Sequence, residues 1–165
     1  MKAVLISIRP EWCEKIASGE KTMEVRKTRP KLEPPFKVYI YQTKHREHTG
    51  PTYSDGKVIG EFVCDAIMSH CEMANADMAE YQGRIKREKL FEYANGRELF
   101  GWHISDLEIY EKPRPLSDFK PPCDGFDKRC QVSCAKITTD GKSRCTRRQF
   151  TRPPQSWCYV EEVTP

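Results

Sequence analysis

Lys21, Glu24 and Arg26 stand close together in "SGEKTMEVRK", residues Ser18 to Lys27. With Glu20 and Lys27 they make five charges within eight residues, interleaved with Thr22, Met23 and Val25. Those three residues have strand composition. A lysine whose pKa is lowered by burial or by a neighbouring cation acts as a general base. In a strand, Glu24 and Arg26 alternate onto one face with Thr22, and Lys21, Met23 and Val25 onto the other. A carboxylate and a guanidinium on one face grip a base edge and a phosphate. The competing description is solvent-facing Lys21 and Arg26, with Glu24 in a surface salt bridge worth under about 1 kcal/mol.

Other residues suit the same chemistry. "RPEW" places Arg9 and Trp12 just before this segment, and "PPQSWCY" supplies Gln155, Ser156 and Trp157. Aromatic rings stack on unpaired bases, and Gln and Ser read base edges. For Trp12 a core position is expected; for Trp157 core and ligand contact are equally open. Tyr39 and Tyr41 alternate with Val38 and Ile40, so one pair faces the core and the other is available to a ligand. His45 and His48 have metal-binding spacing but no clear acidic or thiol partner, which favours a solvated basic loop. His103, between Trp102 and Ile104, reads as structural. Glycine-rich phosphate-binding patterns are absent, so no nucleoside-triphosphate chemistry is expected.

The chain has eight cysteines. Cys13, Cys64 and Cys158 lie in apolar patterns and read as buried thiols; Cys71, beside His70, is ambiguous. Cys123, Cys130, Cys134 and Cys145 fall within 23 residues as C-x6-C-x3-C-x10-C. Four thiolates satisfy tetrahedral zinc and leave no open position, which makes such a metal structural. Metal binding also folds a segment that has no core of its own. Free or redox-active thiols and an iron–sulfur cluster are the alternatives. Disulfides are disfavoured without a secretion signal.

These residues need positioning elements. "KAVLISI" reads as a strand with Val4, Ile6 and Ile8 on one face. Pro10 opens a short helix, "EWCEKIAS", with Trp12, Ile16 and Cys13 as candidates for the inward face and Gly19 at its C-terminal end. "KTMEVRK", "FKVYIYQ", "KVIGEFVCDAIM", "GWHISDLEIYE" and "WCYVEEV" follow as strands, giving about six. Gly60 marks a bulge or a close approach. Parts of Met73 to Leu99 look helical. Helices do not alternate with the later strands, so a small, mostly antiparallel barrel flanked by one to three helices is expected. Glu111 to Gln155 shows almost no strand or helix pattern, and a loop that long must be disordered or tied down.

The 165 residues suggest one domain, 1–165, with 112–152 as a Cys-rich basic insertion. Lys112 to Arg152 hold eleven Lys/Arg against four Asp, a balance of +7 within a net +4, so the remainder carries −3. A basic arm on a slightly acidic body fits a nucleic-acid partner as well as it fits a solvated loop. There is no signal-peptide pattern and no apolar run long enough to span a bilayer, so a cytoplasmic, non-membrane protein is expected.

Gly19, Lys21, Glu24 and Arg26, following a short helix, form Gly-x-Lys-x-x-Glu-x-Arg, which resembles the signature of ASCH domains, members of the PUA-like superfamily of small β-barrels. "VLISIRPEWCEKI" resembles the first strand and helix of that family, and "KVYIY" with "GKVIGEFVCD" its next two barrel strands. "GWHISDLEIY" and "RPPQSWCYVEE" resemble a bacterial and phage subgroup with a Cys-rich insert. The resemblance implies an α+β fold, a PUA-like barrel with a Cys-rich insertion, which the cysteine spacing makes a zinc knuckle. It also implies an RNA, nucleoside or nucleotide ligand at the motif residues Lys21, Glu24 and Arg26, to which Arg9, Gln155, Ser156 and Trp157 are added by their chemistry. A monomer is expected. Some small bacterial members hydrolyse the acetyl amide of N4-acetylcytidine with the motif lysine, a threonine three residues later and a distant glutamate. Here Lys21 matches the lysine, Glu24 stands where the threonine would be, and Glu72 and Glu80 are candidates for the glutamate. An enzyme of that type, or a ribonuclease, would use Lys21 and Glu24 catalytically. A peptide-binding regulatory domain is the third class.

Overall fold

The computed structural model describes residues 1–44, 56–69, 80, 82–122, 150 and 152–163. Cys71, Glu72, His45, His48 and the four clustered cysteines Cys123, Cys130, Cys134 and Cys145 lie outside the described residues. The chain runs β1 (Lys2–Ile8), α1 (Pro10–Ala17), β2 (Met23–Arg26), β3 (Phe36–Gln42), β4 (Val58–Cys64), β5 (Ile67–Ser69), α2 (Arg87–Ala94), β6 (Phe100–His103), β7 (Ser105–Arg114), a 3-10 turn (Leu116–Asp118) and β8 (Trp157–Glu161). One sheet has the order β7-β4-β3-β1-β8 and a second the order β2-β6-β5. β1 and β3 pair in parallel, and the other pairings are antiparallel. The two sheets do not close into a barrel, which corrects the expected architecture.

Two of the expected strands are each divided between the sheets. "KVIGEFVCDAIM" breaks at Asp65–Ala66, so that β4 lies in the large sheet and β5 in the small one. "GWHISDLEIYE" breaks at Ile104, with β6 in the small sheet and β7 in the large one. This yields eight strands among the described residues rather than six. Periodicity cannot detect such a break, because apolar alternation continues through the corner.

β1 is buried along nearly its whole length because both of its faces are covered. Val4, Ile6 and Ile8 pack with Trp102 and Ile104, which brings the small sheet against the large one. Ala3 and Leu5 face the opposite way, into a second cluster with Tyr39, Tyr41, Val58, Phe119 and Val160. Tyr39 and Tyr41 are therefore both core residues, and neither faces a ligand. Met23 and Val25 pack with Ala94 and Leu99 in a third cluster under α2. At Gly60, where the β3–β4 and β4–β7 registers shift, a Cβ would collide with the Glu108 carbonyl oxygen.

The region expected to lack structure is ordered at its start. β7 continues to Arg114, and Phe119, fully buried, sets its ring 4.9 Å from that of Tyr39. No helix among the described residues is long and apolar enough to cross a membrane.

Candidate functional site

Pro10 at the first position starts α1, and Gly19, at φ 76°, turns the chain out of it. A positive φ is strained for residues with a Cβ and free for glycine. The turn places Lys21 before β2, in the connection rather than in the strand: its amide donates to the Lys15 carbonyl at 2.9 Å. Strand parity therefore does not govern its side chain. Lys21 is 1% exposed, and its Nζ donates to Met23 O at 2.6 Å and to Gly83 O at 2.8 Å. The same Nζ lies 3.3 Å from Glu24 Oε2. Expected on opposite strand faces, Lys21 and Glu24 meet.

Glu24 is itself buried, and its Oε1 forms an ion pair with Arg26 Nη2 at 2.9 Å. Arg26 Nη2 also donates to Ser7 O at 2.7 Å, so the guanidinium ties β2 to the end of β1. Its Nη1 is 3.4 Å from Ser156 Oγ. Ser156 is held in turn by its carbonyl, which accepts from the Ser7 amide at 2.8 Å. A carboxylate is thus clamped between an ammonium and a guanidinium, all three largely removed from water.

Burial pulls the Lys21 pKa below its ordinary 10.5, and the Glu24 carboxylate pushes against that fall. Three acceptors around Nζ nevertheless suit an ammonium, which offers three donors. Cys13, behind this group, donates from Sγ to Ile8 O at 3.7 Å. Burial, and then the Glu24 charge, push its thiol far above the ordinary range, so it is no nucleophile.

In front of these groups is a cavity of about 510 Å³, and Lys21, Glu24 and Arg26 all line it. Trp12 lines it too, with Lys21 Nζ 5.3 Å and Lys15 Nζ 5.2 Å from its ring centroid. Ser7, Gln155 and Ser156 come from β1 and the approach to β8, and Arg9 and Glu11 from the start of α1. Ile85, Lys89 and Tyr93 come from α2 and the residues before it. Of the expected site residues, Arg9, Lys21, Glu24, Arg26, Gln155 and Ser156 line one cavity. Trp157 does not. Its ring packs edge-on to Trp102 and Tyr159, and its Nε1 donates to Thr28 Oγ1 at 2.9 Å. Trp12, expected in the core, does pack against it, half-buried, and also presents its indole to the cavity. Glu80 is exposed and does not line it.

The α2 wall was not anticipated. Its sequence signal is modest: Lys89 and Tyr93, four residues apart, share a helix face. Gly83, whose carbonyl holds Lys21, gave no signal beyond being a glycine. Among the described residues, no group of three or more His, Cys, Asp or Glu is placed to hold a metal ion.

The family model of the ASCH domain matches residues 6–114. A crystal structure of ASCH from Zymomonas mobilis superposes with a TM-score of 0.60 at 19% identity, covering 97% of this chain and 88% of that one. Two single-substitution variants of the Zymomonas mobilis protein superpose with TM-scores of 0.58 and 0.57, each at 20% identity. They cover 98% and 97% of this chain, and 92% and 89% of those chains. No curated protein sequence matches this chain.

Proposed function

The chain belongs to the ASCH domain family, and from that premise we propose that its cavity binds RNA or a nucleotide, with one base against Trp12. The observation that carries this is the pairing, in one cavity, of an indole with a buried group of two cations and one carboxylate. A volume of about 510 Å³ suits a ligand of nucleotide size. The indole offers a stacking face, worth roughly 1–3 kcal/mol per base. Gln155 and Ser156 offer hydrogen bonds to a base edge. Lys21, Glu24 and Arg26 sum to one positive charge, which favours a ligand that brings a carbonyl oxygen or an anion. Arg9 and Lys89, both exposed at the cavity, are suited to phosphate.

The test is titration of the protein with short RNA at several salt concentrations. Binding should quench the indole fluorescence and weaken as salt rises. Binding that is independent of salt, or that survives Lys21→Ala combined with Arg26→Ala, would overturn the proposal.

A second function, hydrolysis of an N4-acetylcytidine-type amide, is favoured by one observation: burial lowers the Lys21 pKa toward that of a working base. Lys21 would take a proton from water, with Glu24 as its partner. Against it, three acceptors hold the Lys21 ammonium, and Glu24 occupies the position of the family's threonine. A bell-shaped pH–rate profile that collapses in Lys21→Ala would establish the enzyme. Shortening of the same RNA during the titration would indicate a ribonuclease instead.

From the sequence we also propose that Cys123, Cys130, Cys134 and Cys145 bind one structural zinc. Native mass spectrometry should find one zinc per chain, lost in Cys130→Ser or Cys134→Ser. Metal-free protein with four reactive thiols would refute it.

A further inference from the structure

Beside the proposed base pocket, the cavity edge formed by α2 carries cations that the base does not use. Lys89 and Tyr93 share one face of α2 by their spacing of four, and Lys86, exposed, stands at the N-cap position just before it. Lys89 and Tyr93 line the cavity, and Tyr93 is 39% exposed. Lys27, just after β2, stands over the same ring, with Nζ 4.7 Å from its centroid. Residues 84–97 hold five Lys/Arg against two Glu. Among the described residues, none of Lys27, Lys86 and Lys89 pairs with a carboxylate. Lys21 and Lys37, by contrast, are each committed to a glutamate.

Cations without carboxylate partners, one of them standing over an aromatic ring, have the chemistry of a single-strand phosphate track. Lysine meets phosphate as a point charge and needs no fixed geometry, which suits a flexible backbone. Resting on the assignment of the cavity to a nucleotide, we infer that this edge holds the phosphate next to the bound nucleotide. The ligand is then a nucleotide within an RNA chain, not a free nucleoside. The strand enters or leaves the cavity over Lys27, Lys86, Lys89 and Tyr93.

Calorimetric titration of the whole protein tests this, with the four nucleoside 5′-monophosphates and a mixed-sequence RNA pentanucleotide as probes. The variants are Lys27→Ala with Lys86→Ala, which lie outside the cavity lining, and Arg26→Ala within it. Wild-type protein should bind the pentanucleotide more tightly than any monophosphate. The double lysine variant should lose about tenfold in pentanucleotide affinity, and its logarithmic salt slope should fall by about 1.4. Its monophosphate affinity should be unchanged. Equal wild-type affinity for both kinds of probe, or a double variant with undiminished pentanucleotide binding, overturns the phosphate track. Monophosphate binding that is still lost in Arg26→Ala would then leave the cavity assignment standing. Pentanucleotide binding that ignores Arg26→Ala, or no binding of any probe, overturns the cavity and the track together.

Discussion

Two lysine–glutamate pairs in this protein behave oppositely. Lys21 and Glu24, at the cavity, are 3.3 Å apart with side chains 1% and 8% exposed. Lys37 and Glu61, across β3 and β4, are 2.6 Å apart with side chains 25% and 17% exposed. Glu61 also accepts from the Tyr110 hydroxyl on β7. The hydrogen bond to Glu61 raises the Lys37 pKa, whereas burial lowers that of Lys21 despite its own glutamate. Desolvation decides the sign. Where water reaches the pair, the partner charge wins; where it does not, the loss of hydration exceeds the attraction. Lys37–Glu61 fastens neighbouring strands. The Lys21 group keeps its charges under strain of hydration beside a cavity, an arrangement typical of functional sites.

The largest effect that separates the two is expected for Glu24→Gln. Lys21 and Arg26 would then be buried without a counter-charge, at a loss of about 3–5 kcal/mol in urea unfolding. If the loss were no larger than that for Lys37→Met, the contrast between the sites would collapse. Trp12→Leu keeps apolar contact and removes the stacking face. RNA affinity should fall by roughly 1–3 kcal/mol in the calorimetric titration, with a smaller change in stability. Equal affinity for wild type and variant would remove the indole from the ligand site.

Lys37→Met should cost under about 1 kcal/mol and leave RNA binding alone, since the pair is partly hydrated and does not line the cavity. Because the folded pKa of Lys37 is raised, the stabilisation is complete below the ordinary 10.5 and fades as pH climbs through the folded value. Lys21 has the opposite sign: its penalty is present at neutral pH and lifts as pH rises from its lowered value toward 10.5. The smallest effect belongs to Asp65, 2.6 Å from His103 at the corner where β4–β5 and β6–β7 change sheets. The hydrogen bond from His103 lowers the Asp65 pKa below 3.8. Its contribution is present above 3.8 and lost as pH falls through the folded value, and Asp65→Asn should flatten that acid limb in thermal melts.

Much of the fold was legible in single segments. Lys2–Ile8 and Phe36–Gln42 are strands with the expected bounds, and Pro10 and Gly19 bracket α1 as their backbone preferences require. Local composition suffices there because each element is dominated by its own propensity. The sheet corners were not legible, since Asp65–Ala66 and Ile104 interrupt no apolar pattern. Neither were the roles of the two tryptophans. Trp12 is half-buried at the cavity and Trp157 is packed on Trp102 and Tyr159, yet each follows a polar residue and precedes a cysteine in sequence.

The sequence by itself determined the charged group, Lys21, Glu24 and Arg26 behind a helix and a glycine, together with the strands that carry them. Only the tertiary structure decided that Lys21 leaves the strand face and turns toward Glu24. It does so because the Gly83 carbonyl, 62 residues away, is the acceptor its ammonium reaches. It likewise brought Ser7, Ser156 and α2 around the same space. Hydrogen-bond satisfaction of a buried charge is a property of the whole fold, and no local pattern encodes which distant carbonyl will meet it.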